Sequence, residues 1–134
     1  MKLLCGAKEI KTVDELTELV REKISLLSYE VVCAAFLDAG RNLISLVQLS
    51  SGIDYTVDYD VKSLLEYAVA ISCKRVVLYH NHPSGSPKPS ESDIVTTKYL
   101  HKLMYVNGIS LVDHIIVTKD GFQSVFTFAP EITL

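Results

Sequence analysis

Between Tyr79 and Ser90 the chain carries three prolines, Pro83, Pro87 and Pro89, together with Gly85, and neither a helix nor a sheet ladder runs through such a stretch. Regular structure must therefore be built on either side of it, and the two sides must meet around this loop. Arg75 to Tyr79, just before it, is a short apolar run that reads as a buried strand. Ser90, Glu91 and Asp93, just after it, form a strong helix start. The loop itself opens with His80-Asn81-His82, so its first polar side chains stand where the strand ends.

Outward from this point the pattern alternates between helix and strand. Thr12 and Glu15 have the form of a capping box, and Val13, Leu16, Leu19, Val20 and Ile24 recur at helical spacing, which predicts a helix over 13–27. Glu30 then precedes an apolar run from Val31 to Leu37, the turn residues Asp38-Ala39-Gly40-Arg41 and a second apolar stretch from Leu43 to Leu49, together a β-hairpin with a largely buried first strand. A short strand is expected near Ile53 to Val57. A second helix follows, with Val61, Leu64, Leu65, Ala68, Val69 and Ser72 on one face and Lys74 and Arg75 closing it. The third helix should cover 91–106 and stop at Asn107-Gly108. Ile109 to Thr118 and Phe122 to Phe128, joined by Lys119-Asp120-Gly121, predict a closing hairpin. The result is one α/β domain over 1–134, a mixed β-sheet flanked by helices.

A chain of 134 residues with 49% hydrophobic content buries a proper core without a disulfide or structural metal. Cys5, Cys33 and Cys73 are odd in number and far apart, with no Cys-x-x-Cys pair, so they read as small apolar residues in a reducing compartment. No secretory signal pattern and no membrane-length apolar run is present, and a cytosolic protein is expected. The net charge of -3 gives no general support to nucleic-acid binding, although a local patch drawn from Lys8, Lys11, Arg21, Lys23, Lys74, Lys98 and Lys102 stays open.

His80 and His82, two apart at a strand end, project to the same side and can reach one ion together. Asp93 falls in the first turn of the next helix, which the rigid loop can bring back beside the two imidazoles. Two nitrogens and one oxygen, with the fourth position left to water, describe a catalytic zinc site with one zinc per chain rather than a closed structural one. Taken singly, His-x-His is a weak signal and Ser90-x-x-Asp93 is also an ordinary helix cap. Other zinc and nuclease chemistries lack their letters. There is no His-x-Glu with Pro-Cys-x-x-Cys for a deaminase, no His-Glu-x-x-His for the common zinc peptidases, and three adjacent residues do not make an HNH nuclease.

His80-x-His82 followed after seven residues by Ser90-x-x-Asp93 resembles the JAMM (MPN+) metalloprotease signature. His80-Asn81-His82-Pro83-Ser84-Gly85, Pro89-Ser90 and Leu111-Val112-Asp113-His114-Ile115-Ile116-Val117 are similar to the bacterial RadC family, from about Val13 to Phe126. The resemblance implies a JAMM/MPN (cytidine deaminase-like) fold and a zinc-dependent hydrolase that cleaves a peptide or isopeptide amide bond in a peptide or protein substrate. It also implies that Glu30, at the start of the strand after the first helix, is the base acting on water, and that Ser90 hydrogen-bonds the oxyanion. Asp113 and His114 match the family as well, and His114 is expected either near the metal, behind its ligands or as a substrate contact, or as a polar strand residue satisfied by the backbone. His101, inside the third helix, should be exposed or simply packed.

Two features depart from the RadC pattern. Asp58-Tyr59-Asp60-Val61-Lys62 stands where a Tyr-Pro-Arg-Glu stretch is usual, and the helical region that commonly precedes the domain is missing, as expected of a short member or an excised domain. The competing expectation is a non-enzymatic protein-interaction module associated with DNA repair, as the family's traditional name suggests; retention of every signature residue favours chemistry.

Overall fold

A computed structural model describes residues 2–5, 12–52 and 60–133. Its elements are β1 (Lys2–Cys5), α1 (Val13–Ile24), β2 (Glu30–Leu37), β3 (Leu43–Gly52), α2 (Val61–Ala70), β4 (Arg75–Asn81), α3 (Glu91–Val106), β5 (Ser110–Thr118), β6 (Gly121–Ser124) and α4 (Val125–Phe128), with a closing 3-10 turn at Pro130–Thr133. The strands form one sheet in the order β1-β3-β2-β4-β5-β6. Only β4 and β5 run parallel; the other neighbours are antiparallel. The parallel pair is the one joined through a helix, α3, as a crossover requires.

β2 lies inside the sheet and is covered on both faces, which is why its apolar run is continuous rather than alternating. Val31, Cys33, Ala35 and Leu37 pack with Leu16, Val20 and Ile24 of α1. Ala34 and Phe36 pack on the opposite face with Leu64 and Ala68 of α2 and Leu100 and Met104 of α3. β4 follows the same alternation, with Val77 and Tyr79 toward α1 and Val76 and Leu78 toward α2 and α3. His80 continues the second series, and so faces α3.

β5 reaches the same face by an irregular step. Val76 pairs with Leu111 but Val77 pairs with Asp113, so Val112 is an extra residue in the ladder. Such a bulge shifts the alternation by one. Leu111 faces α2 and α3 before it; after it Ile115 and Val117 face α1. His114, opposite Leu78, thereby turns toward α3.

Helix ends follow local chemistry. Thr12 accepts the Glu15 N–H at 3.1 Å, and α1 stops at Ile24 rather than 27 because its buried stripe ends there and Leu26 is exposed. Asp60, within the stretch that departs from the RadC pattern, caps α2 by accepting from the Lys62 N–H and the Ser63 hydroxyl. That helix closes with Ser72 in the left-handed region at φ 58 and the Cys73 N–H on the Ala68 carbonyl, earlier than Lys74 and Arg75. Its buried face is also narrower than the pattern implied, since Val69 is exposed. Gly108, at φ 75, supplies the same left-handed ending to α3, with the Ile109 N–H on the Met104 carbonyl.

Three expectations need correction or completion. The segment Phe122 to Phe128 is not one strand: β6 ends at Ser124, whose hydroxyl oxygen accepts the Thr127 N–H and starts α4. Val125, Ala129 and Ile132 pack together on Ile116, a helical rather than alternating spacing that the turn and the aromatic residues obscured. β3 runs on to Gly52, and β1, which the sequence did not suggest, pairs with it. The strand expected near Ile53 to Val57 lies outside the described residues. Among the described residues, no helix is long and apolar enough to cross a membrane. Cys33 and Cys73 are buried free thiols.

Candidate metal centre

β4 remains a strand through Asn81, beyond the Tyr79 limit expected from the sequence. The His82 N–H then donates to the Val117 carbonyl of β5 at 3.2 Å, so the chain is still tied to the sheet when it enters the loop. Gly85, at φ 91, lets the chain turn back with its N–H on the His82 carbonyl. Ser86 thereby presents its own carbonyl oxygen 2.9 Å from His82 Nδ1. The proline-rich loop thus orients a ring that it follows in sequence.

The loop delivers the chain to Ser90, the N-cap of α3. Ser90 and Asp93 form a reciprocal capping box: the Asp93 N–H donates to Ser90 Oγ at 3.0 Å, and the Ser90 N–H donates to Asp93 Oδ2 at 2.8 Å. This fixes the Asp93 carboxylate at the sheet end. Asp93 Oδ1 lies 3.6 Å from His80 Nε2, and Oδ2 lies 3.3 Å from His82 Nε2. Glu30, the first residue of β2, completes the group, since one ligand atom from each of Glu30, His80 and His82 lies within 4.8 Å of the others. All four expected side chains therefore converge, and Ser90 stands beside them at the start of α3. The side chains of His80, His82 and Asp93 are 5%, 13% and 16% exposed, so the cluster is shut at His80 and open toward His82 and Asp93.

The electrostatics separate the two carboxylates. Burial raises the pKa of Glu30, with His82 opposing and Asp93 reinforcing the shift. Burial also disfavours ionised Asp93, but the hydrogen bond from His82, the His80 ring and the two Ser90 bonds outweigh it and hold that carboxyl well below the usual carboxylate range. His82 is pulled down by burial, yet its bond to Asp93, the Ser86 carbonyl and the charges of Asp93 and Glu30 together raise it. His80 is driven by burial, and by His114 beside it, to about 3, and is neutral.

These residues fit a divalent transition metal. Borderline metals of the zinc type take imidazole nitrogen and carboxylate oxygen. Each histidine Nδ1 is engaged from behind, His80 by His114 at 2.9 Å and His82 by the Ser86 carbonyl, and both Nε2 atoms face the carboxylate. Such backing is what orients ligating imidazoles.

Asn81, between the two histidines, was missed by the sequence reading. It is fully buried; its Oδ1 accepts from the Val31 N–H at 2.8 Å and its Nδ2 donates to the Tyr29 carbonyl at 2.9 Å. Its only sequence signal is an amide side chain at a position alternating toward the α1 face, where an apolar residue is the norm. Thr97 was also missed. His101 packs edge-on against Phe126, 5.7 Å between ring centroids, away from the cluster. Asp113, adjoining His114, turns to the last elements instead, accepting from the Ser124 hydroxyl at 2.6 Å, from the His114 N–H at 2.7 Å and from the Phe126 N–H at 3.4 Å.

A mixed sheet flanked by helices, gathering two histidines and two carboxylates at the end of its central strands, defines an α/β domain of the JAB/MPN-like class. Comparison with known proteins narrows this: the model of the RadC-like JAB domain family matches residues 10–130, and the chain belongs to that family. It is 32% identical over 117 residues to a UPF0758 protein of Clostridium botulinum, covering 87% of this chain and 51% of the relative. A UPF0758 protein of Porphyromonas gingivalis is 35% identical over 105 residues, 78% of this chain and 45% of the relative. One of Neisseria meningitidis is 31% identical over 111 residues, 83% and 49% respectively. The chain spans about half the length of the curated relatives it matches.

Proposed function

We propose that this protein is a zinc-dependent hydrolase of the JAMM type that cleaves a peptide or isopeptide amide bond. The observation that carries the proposal is the division of labour between the two carboxylates. A metal ligand must stay deprotonated, and Asp93, held low and facing both Nε2 atoms, meets that need. A proton carrier works best with a pKa nearer neutrality, and Glu30 is shifted that way. His80, His82 and Asp93 are therefore assigned as ligands and Glu30 as the base.

Zinc bound there would supply Lewis acidity, polarising a carbonyl and lowering the pKa of water to about 7. Glu30 takes the proton from the attacking water and returns it to the departing amine. Ser90 lies at the exposed start of α3, and turning its hydroxyl proton from the Asp93 carboxylate to the developing oxyanion would make it the donor there. The exposed side of the cluster, at His82 and Asp93, is where an extended peptide would approach.

Elemental analysis of the wild type, Glu30→Gln and the double variant His80→Ala/His82→Ala tests this. About one zinc per chain in the first two and none in the third is expected, followed by turnover of some member of a peptide and isopeptide panel by wild type but not by Glu30→Gln. Absence of zinc uptake by the wild type would overturn the proposal and leave a protein-interaction module as the account of the domain.

A further inference from the structure

Behind His80 runs a chain of buried hydrogen bonds that the proposed chemistry does not use. His80 Nδ1 lies 2.9 Å from His114 Nε2, His114 Nδ1 lies 2.7 Å from Thr97 Oγ1, and Thr97 Oγ1 lies 2.6 Å from the Asp93 carbonyl oxygen. His80, Thr97 and His114 are all buried, so their donors and acceptors must be matched within the protein.

Resting on the zinc-hydrolase reading above, we propose that Thr97 and His114 are positioning residues, which lock His80 in the tautomer that leaves Nε2 free for the metal. The direction of the chain follows from its fixed end. The Asp93 carbonyl can only accept, so the Thr97 hydroxyl proton is spent on it. Thr97 Oγ1 then offers His114 only lone pairs, and His114 must place its proton on Nδ1. A neutral, buried His114 is thereby left with a lone pair on Nε2, which in turn requires His80 to carry its proton on Nδ1. His80 Nε2 emerges as a lone pair.

The front of the ring agrees with this assignment. His80 Nε2 stands 3.6 Å from Asp93 Oδ1, too long for a hydrogen bond, as expected where two acceptors face one another. Reversing the chain would put two oxygens, Thr97 Oγ1 and the Asp93 carbonyl, 2.6 Å apart with no proton between them. Asp93 therefore acts twice: its carboxylate faces His80 from the front, while its main-chain carbonyl sets the proton on His80 from behind.

The test uses nitrogen-resolved NMR of the imidazole side chains in metal-free protein, together with zinc affinity by chelator competition, for wild type, Thr97→Val, Thr97→Ser and His114→Phe. In wild type, His80 should show a protonated Nδ1 and an unprotonated Nε2. Thr97→Val keeps the shape but removes the proton that sets the direction. It should move the His80 proton toward Nε2 and weaken zinc binding by about tenfold or more. Thr97→Ser should restore both signals. His114→Phe should weaken zinc binding similarly, with thermal unfolding confirming that each variant is folded. A wild-type His80 protonated at Nε2, or a folded Thr97→Val with wild-type nitrogen signals and zinc affinity within twofold, would overturn the inference. The nitrogen signals need no metal, so they decide this point even if zinc fails to bind and the hydrolase reading falls.

Discussion

Asn81 holds the main chain on both sides of Glu30, donating to the Tyr29 carbonyl and accepting from the Val31 N–H. The ladder between β2 and β4 runs only as far as Val32 and His80, so this amide continues it as a side-chain rung. The residue between the two candidate ligands thus sets where the candidate base begins.

Asn81→Ala should therefore disturb both stability and chemistry. It removes two hydrogen bonds from a buried site and orphans two main-chain groups, at a cost of about 2–4 kcal/mol. Urea unfolding should show a lower midpoint with an unchanged slope, and zinc content should persist while turnover falls. Loss of zinc in parallel with stability would instead place Asn81 behind the histidines.

Ser90→Ala separates the cap from the chemistry. Loss of an N-cap oxygen costs about 1 kcal/mol, measurable as a small drop in thermal midpoint. Loss of an oxyanion donor costs about a hundredfold or more in kcat. A variant only slightly less stable, but slowed by that factor with KM little changed, is the expected result.

Asp113 offers a control for its neighbour His114. Its carboxylate bonds Ser124, the His114 N–H and the Phe126 N–H, fastening β6 and α4 to β5. Asp113→Ala should destabilise the fold by about 2–3 kcal/mol yet leave zinc affinity within about twofold, as judged by chelator competition.

Metal-free protein should lose stability toward acid. Burial holds His80 near 3 and His114 near 4, both below the ordinary value of 6.5. Between those limits the unfolded chain binds protons that the folded chain does not, so stability falls as pH drops from about 6.5 toward 4. Asp93, lowered in the fold, adds a further loss where carboxylates protonate. His82 is raised, so its contribution is full below 6.5 and disappears as pH climbs through its folded pKa. Denaturant midpoints measured from pH 4 to 8 should peak near neutrality, with an acid limb driven by His80 and His114 and partly offset by Glu30 and Asp113, whose carboxyls the fold raises.

Much of this was legible in the sequence because the decisive signals are local. Pro83, Pro87 and Pro89 bound a loop, Ser90 and Asp93 a helix start, and Asn107-Gly108 its end. Glu30, His80, His82 and Asp93 were named from spacing and family likeness, and they converge. The reversal at Ser124 was not legible, because Phe122 to Phe128 satisfies strand propensity while Asp113, eleven residues earlier, supplies the partner that ends the strand. Asn81 and Thr97 were missed for a related reason. A polar side chain inside a strand or helix carries no local mark of the distant group it satisfies, and Asn81 meets Tyr29 and Val31 only once β2 and β4 are side by side.

Val112 makes the protein sensitive to parity. A strand that gains or loses one residue exchanges its two faces, and the ladder between β4 and β5 already contains one such exchange. Deleting Val112 would remove little volume and no polar group. It would also leave His114 opposite Leu78 and facing α3, because Leu111, Asp113 and His114 would then follow one another against Val76, Val77 and Leu78 in plain alternation. The arrangement around His80 thus depends on where residues are counted: Val112 is absorbed before Asp113, whereas one residue added between Asp113 and His114 and not absorbed by a further bulge would turn His114 toward α1.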